Sequence, residues 1–308
     1  MVKLVFQFVM LQFVILLLLP FSAMATDTFA NIRERKTIII AHRESSIPFS
    51  YLDAQQRPVG YALDICLKVV DAIKRELKLP ALQVKYLAVT PANRLQMIAD
   101  GQADLECGSS TNTAERRKQV DFSIAYFIAG AKMLVRSDSG IRNWGDLRGK
   151  TVVTTRGTTN AQTLADRGQV RSLNLNLIES KDHAEGFAMV AQGKAAAFAM
   201  DDVLLYGLRA AAAHPADFQV VGDSLSTEPY AIIFRKNDTA FKHLLNQELS
   251  RLMLDGDIYR MYDKWFMQAI PPHNIKLQLP MSQLLRSSLR FPLEDVADVA
   301  GAAQWRSP

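Results

Sequence analysis

Arg94–Cys107 reads RLQMIADGQADLEC, and far along the chain Gly186–Ala199 reads GFAMVAQGKAAAFA. In register, Leu95 matches Phe187, Met97 matches Met189, Ala99 matches Ala191, Gly101 matches Gly193 and Ala103 matches Ala195. Each stretch opens with apolar residues at helical spacing, passes a glycine able to take a left-handed C-cap, and then turns short and apolar like a buried strand. A helix-glycine-strand unit used twice predicts two similarly built α/β lobes. The material after each expected strand is polar, GSSTNTAERR in the first case and MDD in the second. Ligands of open α/β sheets sit beyond the carboxyl ends of strands, so two such ends can face each other across a cleft.

Working outward, Thr37–Ala41 predicts a first strand ending at His42-Arg43-Glu44, and Phe49–Leu52 with Asp53–Gly60 reads as a strand, a polar turn and a return. Leu63, Cys66, Leu67, Val70, Ile73 and Leu77 mark one face of a helix packed on a sheet. Residues 82–89 are the next strand, and Thr90 can cap a helix beginning at Pro91. A second lobe begins near Lys132, with strands expected at Thr151–Thr155 and Leu175–Ser180 and a helix at Val203–Ala213. Tyr230–Phe234 returns the chain to the first lobe, so two crossings, near 129–135 and 226–234, would form a hinge. The helix His243–Leu254 and the aromatic segment Tyr259–Phe266 should pack on lobe one, and the tail from Lys276 is poorly specified.

The amino terminus carries Lys3, an apolar run from Leu4 to Phe21 and the small-residue pattern Ala23-Met24-Ala25, the layout of a secretory leader over residues 1–25. The run is also just long enough to serve as a retained anchor. Removing the leader takes away Lys3 and no acid, which lowers the formal charge from +5 by one. So mild an excess, without a dense basic stripe, argues against nucleic acid as a partner. Cys66 and Cys107 have neither CxxC nor Cys/His spacing, and a bridge or two buried thiols fit the sequence equally well. No metal or cofactor motif is present.

Arg43, Arg94 and Arg116 follow strand ends or sit on adjoining helices of lobe one, where arginines can grip carboxylates through paired hydrogen bonds. Ser109 and Thr111 offer hydroxyls there, or alternatively cap the helix containing Glu115. In lobe two, Gly157-Thr158-Thr159 at a strand-to-helix bend is a candidate anion nest, and it matches neither GxGxxG nor GxxxxGK[ST]. Asp201 can pair with an ammonium group, while Asp202 can cap the next helix. His183, at a helix start, can meet a carboxylate. Cationic groups on one lobe opposite a carboxylate on the other describe a site for a zwitterion with an acidic side chain.

The blocks His42–Tyr51, Glu106–Asn112, Lys181-Asp182-His183 and Met200-Asp201-Asp202 together resemble the glutamate/aspartate-binding members of solute-binding protein family 3, the periplasmic receptors of ABC amino-acid importers. The similarity runs from about Arg35 to Asn274. It implies a two-lobed α/β fold of the type II periplasmic-binding-protein kind with two hinge crossings: lobe one over 32–131 plus 230–276, lobe two over 132–229, and an extension over 277–308. It also implies a monomeric, non-enzymatic receptor that delivers L-glutamate or L-aspartate to an inner-membrane ABC permease. Under this resemblance Arg43, Arg94, Ser109, Thr111 and Arg116 line the lobe-one surface, completed by Thr158, Thr159, His183 and Asp201. Arg116 would clamp the α-carboxylate, Asp201 would receive the α-ammonium, and Arg43, Arg94 and His183 would serve the side-chain carboxylate. Pro91 departs from the family pattern, which has a serine there, so a hydroxyl contact is lost. The alternative on the same fold is a cyclohexadienyl dehydratase-like enzyme.

Overall fold

A computed structural model describes residues 27–170 and 172–292. The expected leader over 1–25 and the end of the expected extension, 293–308, lie outside the described residues. Among the described residues, no helix is long and apolar enough to cross a membrane.

The strands of the described residues, in chain order, are β1 (Thr37–His42), β2 (Ser45–Ser46), β3 (Ser50–Leu52), β4 (Pro58–Val59), β5 (Gln83–Ala88), β6 (Leu105–Glu106), β7 (Val120–Phe122), β8 (Phe127–Ala129), β9 (Ala131–Arg136), β10 (Thr151–Thr155), β11 (Asn176–Ser180), β12 (Ala197–Asp201), β13 (Phe218–Val221), β14 (Glu228–Tyr230), β15 (Ile233–Arg235), β16 (Ala269–Ile270) and β17 (Ile275–Lys276). Two five-stranded mixed sheets follow one plan, β5-β1-β6-β15-β7 and β11-β10-β12-β9-β13. In each, three parallel strands are followed by an antiparallel strand that has just crossed from the other lobe, β15 in one and β9 in the other. Helices bury apolar faces against these sheets, and the largest core gathers around the first.

The duplicated unit is built alike in both lobes. The helix Arg94–Ala99 leads to Gly101 at φ 70° and then β6, and the helix His183–Ala191 leads to Gly193 at φ 71° and then β12. The closing hydrogen bonds correspond too: Gly101 N donates to Ile98 O and Gln102 N to Met97 O, while Gly193 N donates to Val190 O and Lys194 N to Met189 O. A positive φ at the residue that ends the helix is what glycine tolerates without a Cβ penalty. The turn thus sends each chain directly into the sheet.

The two crossings pair with each other. β8 and β14 form an antiparallel ladder, with Ala129 opposite Glu228 and Phe127 opposite Tyr230. Behind this ladder lies an aromatic cluster in which Phe49 meets Phe127 edge-on at 4.8 Å and Phe127 stacks on Phe266 at 5.3 Å. The segment Tyr259–Phe266 therefore backs the hinge as well as lobe one. Such ring pairs add directional preference to burial and hold the crossing strands at a fixed height.

Several local expectations differ from the structure. The helix expected at Pro91 begins at Arg94, because Thr90 and Asn93 exchange backbone-to-side-chain hydrogen bonds of 2.8 and 3.2 Å and hold 91–93 in a turn. Of the expected face of Tyr61–Leu77, Leu63, Cys66, Val70, Ile73 and Leu77 are buried and only Leu67 is exposed, while Ile65 and Val69 join the buried side. β5 is an edge strand over Gln83–Ala88, one residue shorter at each end than expected. The tail forms a helix, Gln283–Arg290, that buries Leu285 and Leu289. A helix at Thr28–Arg35 was not expected; Asp27 caps it, Thr28 N donates to Asp238 Oδ2 and Arg35 pairs with Asp104 at 2.8 Å. Of the two states open to the cysteines, the structure has the bridge, Cys66–Cys107, joining positions 41 residues apart. Closing a loop of that length typically stabilises by about 2–4 kcal/mol, and here it anchors the segment that carries Ser109 and Thr111.

Candidate functional site

Arg43 lies just past the end of β1, where Ser50 Oγ accepts its backbone N–H at 2.9 Å. Arg94 starts its helix and is buried, donating from Nε to Ser110 Oγ at 2.7 Å and from Nη1 to Pro91 O. Arg116, half-buried on the short 3-10 turn Arg116–Lys118, donates to Thr111 O at 2.9 Å. That turn is tied by Thr113 Oγ1, which accepts from Arg116 N at 3.2 Å, so the capping role considered for Ser109 and Thr111 falls to Thr113.

The second lobe brings β10, β11 and β12 to the same place. Thr158 and Thr159 follow β10, His183 follows β11, and Asp201 closes β12. The nine residues named from the sequence come together, with Met200, around one narrow cavity between the lobes. The lobes touch at its rim. Gly157 O accepts from Arg116 Nη2 at 3.2 Å and from Arg94 Nη1 at 3.4 Å. A Cβ on Gly157 would fall 2.7 Å from Pro91 O and from Ala92 Cα, and its φ is 77°, so glycine is required for this approach.

Three buried polar atoms of cavity-lining residues have no hydrogen-bond partner among the described residues: Arg43 Nε, Ser109 Oγ and His183 Nε2. Buried polar groups are nearly always paired, so this cluster marks a place prepared for a polar guest. Two more open grooves lie on the surface, one lined by Arg136, Lys150 and Lys194, and neither contains such an orphan.

Burial, and then the neighbouring Arg94, pull the Arg43 guanidinium down to about 9, and the same two causes lower Arg116. Arginine does not give up its proton in practice, so the shift measures first the burial of the charge and then the mutual repulsion with Arg94, both of which a bound anion would relieve. Burial, followed by Arg43 and Arg94, pushes His183 well below its ordinary value and leaves the imidazole neutral. Its Nδ1 lies 3.0 Å from Thr155 Oγ1; when that hydroxyl donates, the ring proton sits on Nε2 and points at the cavity. His183 is thus neutral, and the positive character of the site comes from the arginines.

Asp201 faces them. Its Oδ1 accepts from Asn160 Nδ2 at 2.7 Å and its Oδ2 from the Tyr230 hydroxyl, which leaves lone pairs for a further donor. Burial and then Glu228 push its carboxyl up to about 7. Asp202 instead accepts from Gly130 N on the crossing at 3.2 Å and from Val203 N. Asn160, Tyr230 and Glu228 were not named as site residues from the sequence. Glu228 accepts from Thr159 Oγ1 at 2.8 Å and from Ser226 Oγ. The alternation of Glu228 and Tyr230 along a crossing strand was the signal available for both.

The model of the bacterial extracellular solute-binding proteins, family 3, matches residues 38–268. The chain is 43% identical over 274 residues to the L-glutamate/L-aspartate-binding protein of Pseudomonas aeruginosa, spanning 89% of this chain and 91% of that one. It is 38% identical over 268 residues to the glutamate/aspartate import solute-binding protein of Escherichia coli, spanning 87% and 89%. Among solved structures, a mutant of ArgBP from T. maritima superposes with a TM-score of 0.68 at 26% identity, covering 77% of this chain and 98% of that one.

Proposed function

Because the chain belongs to the bacterial extracellular solute-binding proteins, family 3, we propose that it captures L-glutamate or L-aspartate between its lobes and delivers it to an inner-membrane ABC permease. The observation that carries this reading is the cavity itself, with three guanidiniums and orphaned donors on one side and Asp201 opposite. An amino acid with an acidic side chain brings two carboxylates and one ammonium, which matches that arrangement. Arg116 takes the α-carboxylate and Asp201 the ammonium, while Arg43, Arg94 and the Nε2 proton of His183 hold the side-chain carboxylate. Arg43 is the least engaged, since its side chain donates no hydrogen bond among the described residues. Ser109, Thr111, Thr158 and Thr159 supply hydroxyl and backbone contacts around the ligand. Binding without turnover is adopted over the dehydratase-like alternative, because both relatives are named for binding.

Calorimetry on ligand-stripped protein should give tight binding of glutamate and aspartate and much weaker binding of glutamine and asparagine. A neutral amide leaves charged donors incompletely matched. Glutamine binding as tight as glutamate overturns the acidic-ligand reading. We further propose export to the periplasm with removal of residues 1–25, for which the secreted protein should begin at Thr26; a mature chain that retains Met1 contradicts this.

A further inference from the structure

Glu106 ends β6 in the middle of the first sheet and is fully buried. A Cβ built on Gly108 would fall 2.4 Å from Glu106 Oε1 and 3.1 Å from Arg43 Cγ, so the carboxylate and the Arg43 stem lie side by side. Among the described residues neither carboxylate oxygen meets hydrogen-bond geometry with any group; burial raises the carboxyl above its ordinary value, and Arg94, then the Ser110 hydroxyl, Arg43 and Arg116 oppose that and favour the anion. Glu106 nevertheless favours the charged form of Arg43, Arg94 and Arg116 alike. Its influence on the site is therefore a field acting through space rather than a grip on one guanidinium.

We infer that Glu106 is the built-in counter-anion of the three cleft arginines and sets how tightly they hold an acidic ligand. The inference rests on the acidic-ligand reading above. Before binding, Glu106 offsets part of the repulsion among Arg43, Arg94 and Arg116 and lets lobe one fold around them. Upon binding, it repels the ligand's side-chain carboxylate and keeps affinity below what the arginines alone would give. An amide side chain carries no net charge and feels this opposition little. The charge on Glu106 thus stabilises the empty protein and lowers its discrimination between acid and amide.

Glu106→Gln keeps the shape and removes the charge. One charge acting over ~10 Å at an effective dielectric of ~20 corresponds to a change on the order of tenfold. Ligand-stripped E106Q should therefore bind glutamate on the order of tenfold more tightly than wild type, with glutamine nearly unchanged, while the empty protein melts at a lower temperature. A residue that merely packs would lower the melting temperature and weaken both ligands together. Glu106→Asp retains the charge and should keep the wild-type glutamate-to-glutamine ratio; if E106Q does not fold, Glu106→Ala, which also removes the charge, should raise that ratio in its place. An unchanged or reduced ratio in folded E106Q, or a shifted ratio in E106D, overturns the inference alone. A wild type that does not prefer glutamate overturns the acidic-ligand reading first, and this inference with it.

Discussion

Arg116→Ala is expected to weaken binding of every α-amino acid by about 2–5 kcal/mol, the loss that follows removal of one partner from a buried, hydrogen-bonded charge pair. The proposed α-carboxylate contact is common to glutamate, aspartate and their amides, so the loss should be similar across them. Arg94→Ala should differ, because Arg94 is assigned to the side chain: glutamate should lose far more than glutamine. Both guanidiniums also donate to Gly157 O across the cleft mouth, and a general loosening of that contact would weaken every ligand for both variants. Calorimetric comparison of the two variants with glutamate and glutamine separates these effects. Equal proportional losses for Arg94→Ala and Arg116→Ala remove the role assignment.

Most of what positions this site is local and could be read from the chain. The matched glycines Gly101 and Gly193 announce two identical helix endings, and the strands that follow carry Ser109 and Asp201 to facing edges. What the sequence withheld depends on contacts made at a distance. The helix Thr28–Arg35 has few apolar residues and is held by Asp238 and Asp104, both far along the chain. Glu106 stands in a block singled out from the sequence, but nothing in its neighbours reveals a carboxylate sealed among arginines. The same holds for His183, whose position at a helix start was legible while its neutrality was not. That neutrality comes from burial beside Arg43 and Arg94, and both lie on the other lobe.

Asp201→Ala is expected to reduce glutamate affinity by about 2–5 kcal/mol and to blunt closure of the lobes together with it. A ligand held by Arg116 on one lobe and Asp201 on the other gains its full contacts only when both surfaces approach. Its differential affinity therefore shifts the population toward the closed arrangement. The crossing ladder of β8 and β14 is suited to transmit this, because the Tyr230 hydroxyl and Glu228 reach Asp201 and Thr159 from the hinge itself. The protonation state of Asp201 supplies a second signature. In the empty cleft, burial, Glu228 and Asp202 hold its carboxyl up, against the hydrogen bonds from Asn160 and Tyr230, at about 7. A ligand ammonium binds the ionised form. Below that pH the free protein must release a proton to bind, so affinity should fall by up to ~tenfold per unit of pH. Asp201→Asn should flatten this dependence, since His183 is already neutral and the arginines keep their protons throughout. Small-angle scattering on verified ligand-free protein should show a smaller radius of gyration once glutamate saturates it. An unchanged scattering curve, with an interlobe distance probe equally unmoved, would mean that the ligand is held without the two lobes closing on it.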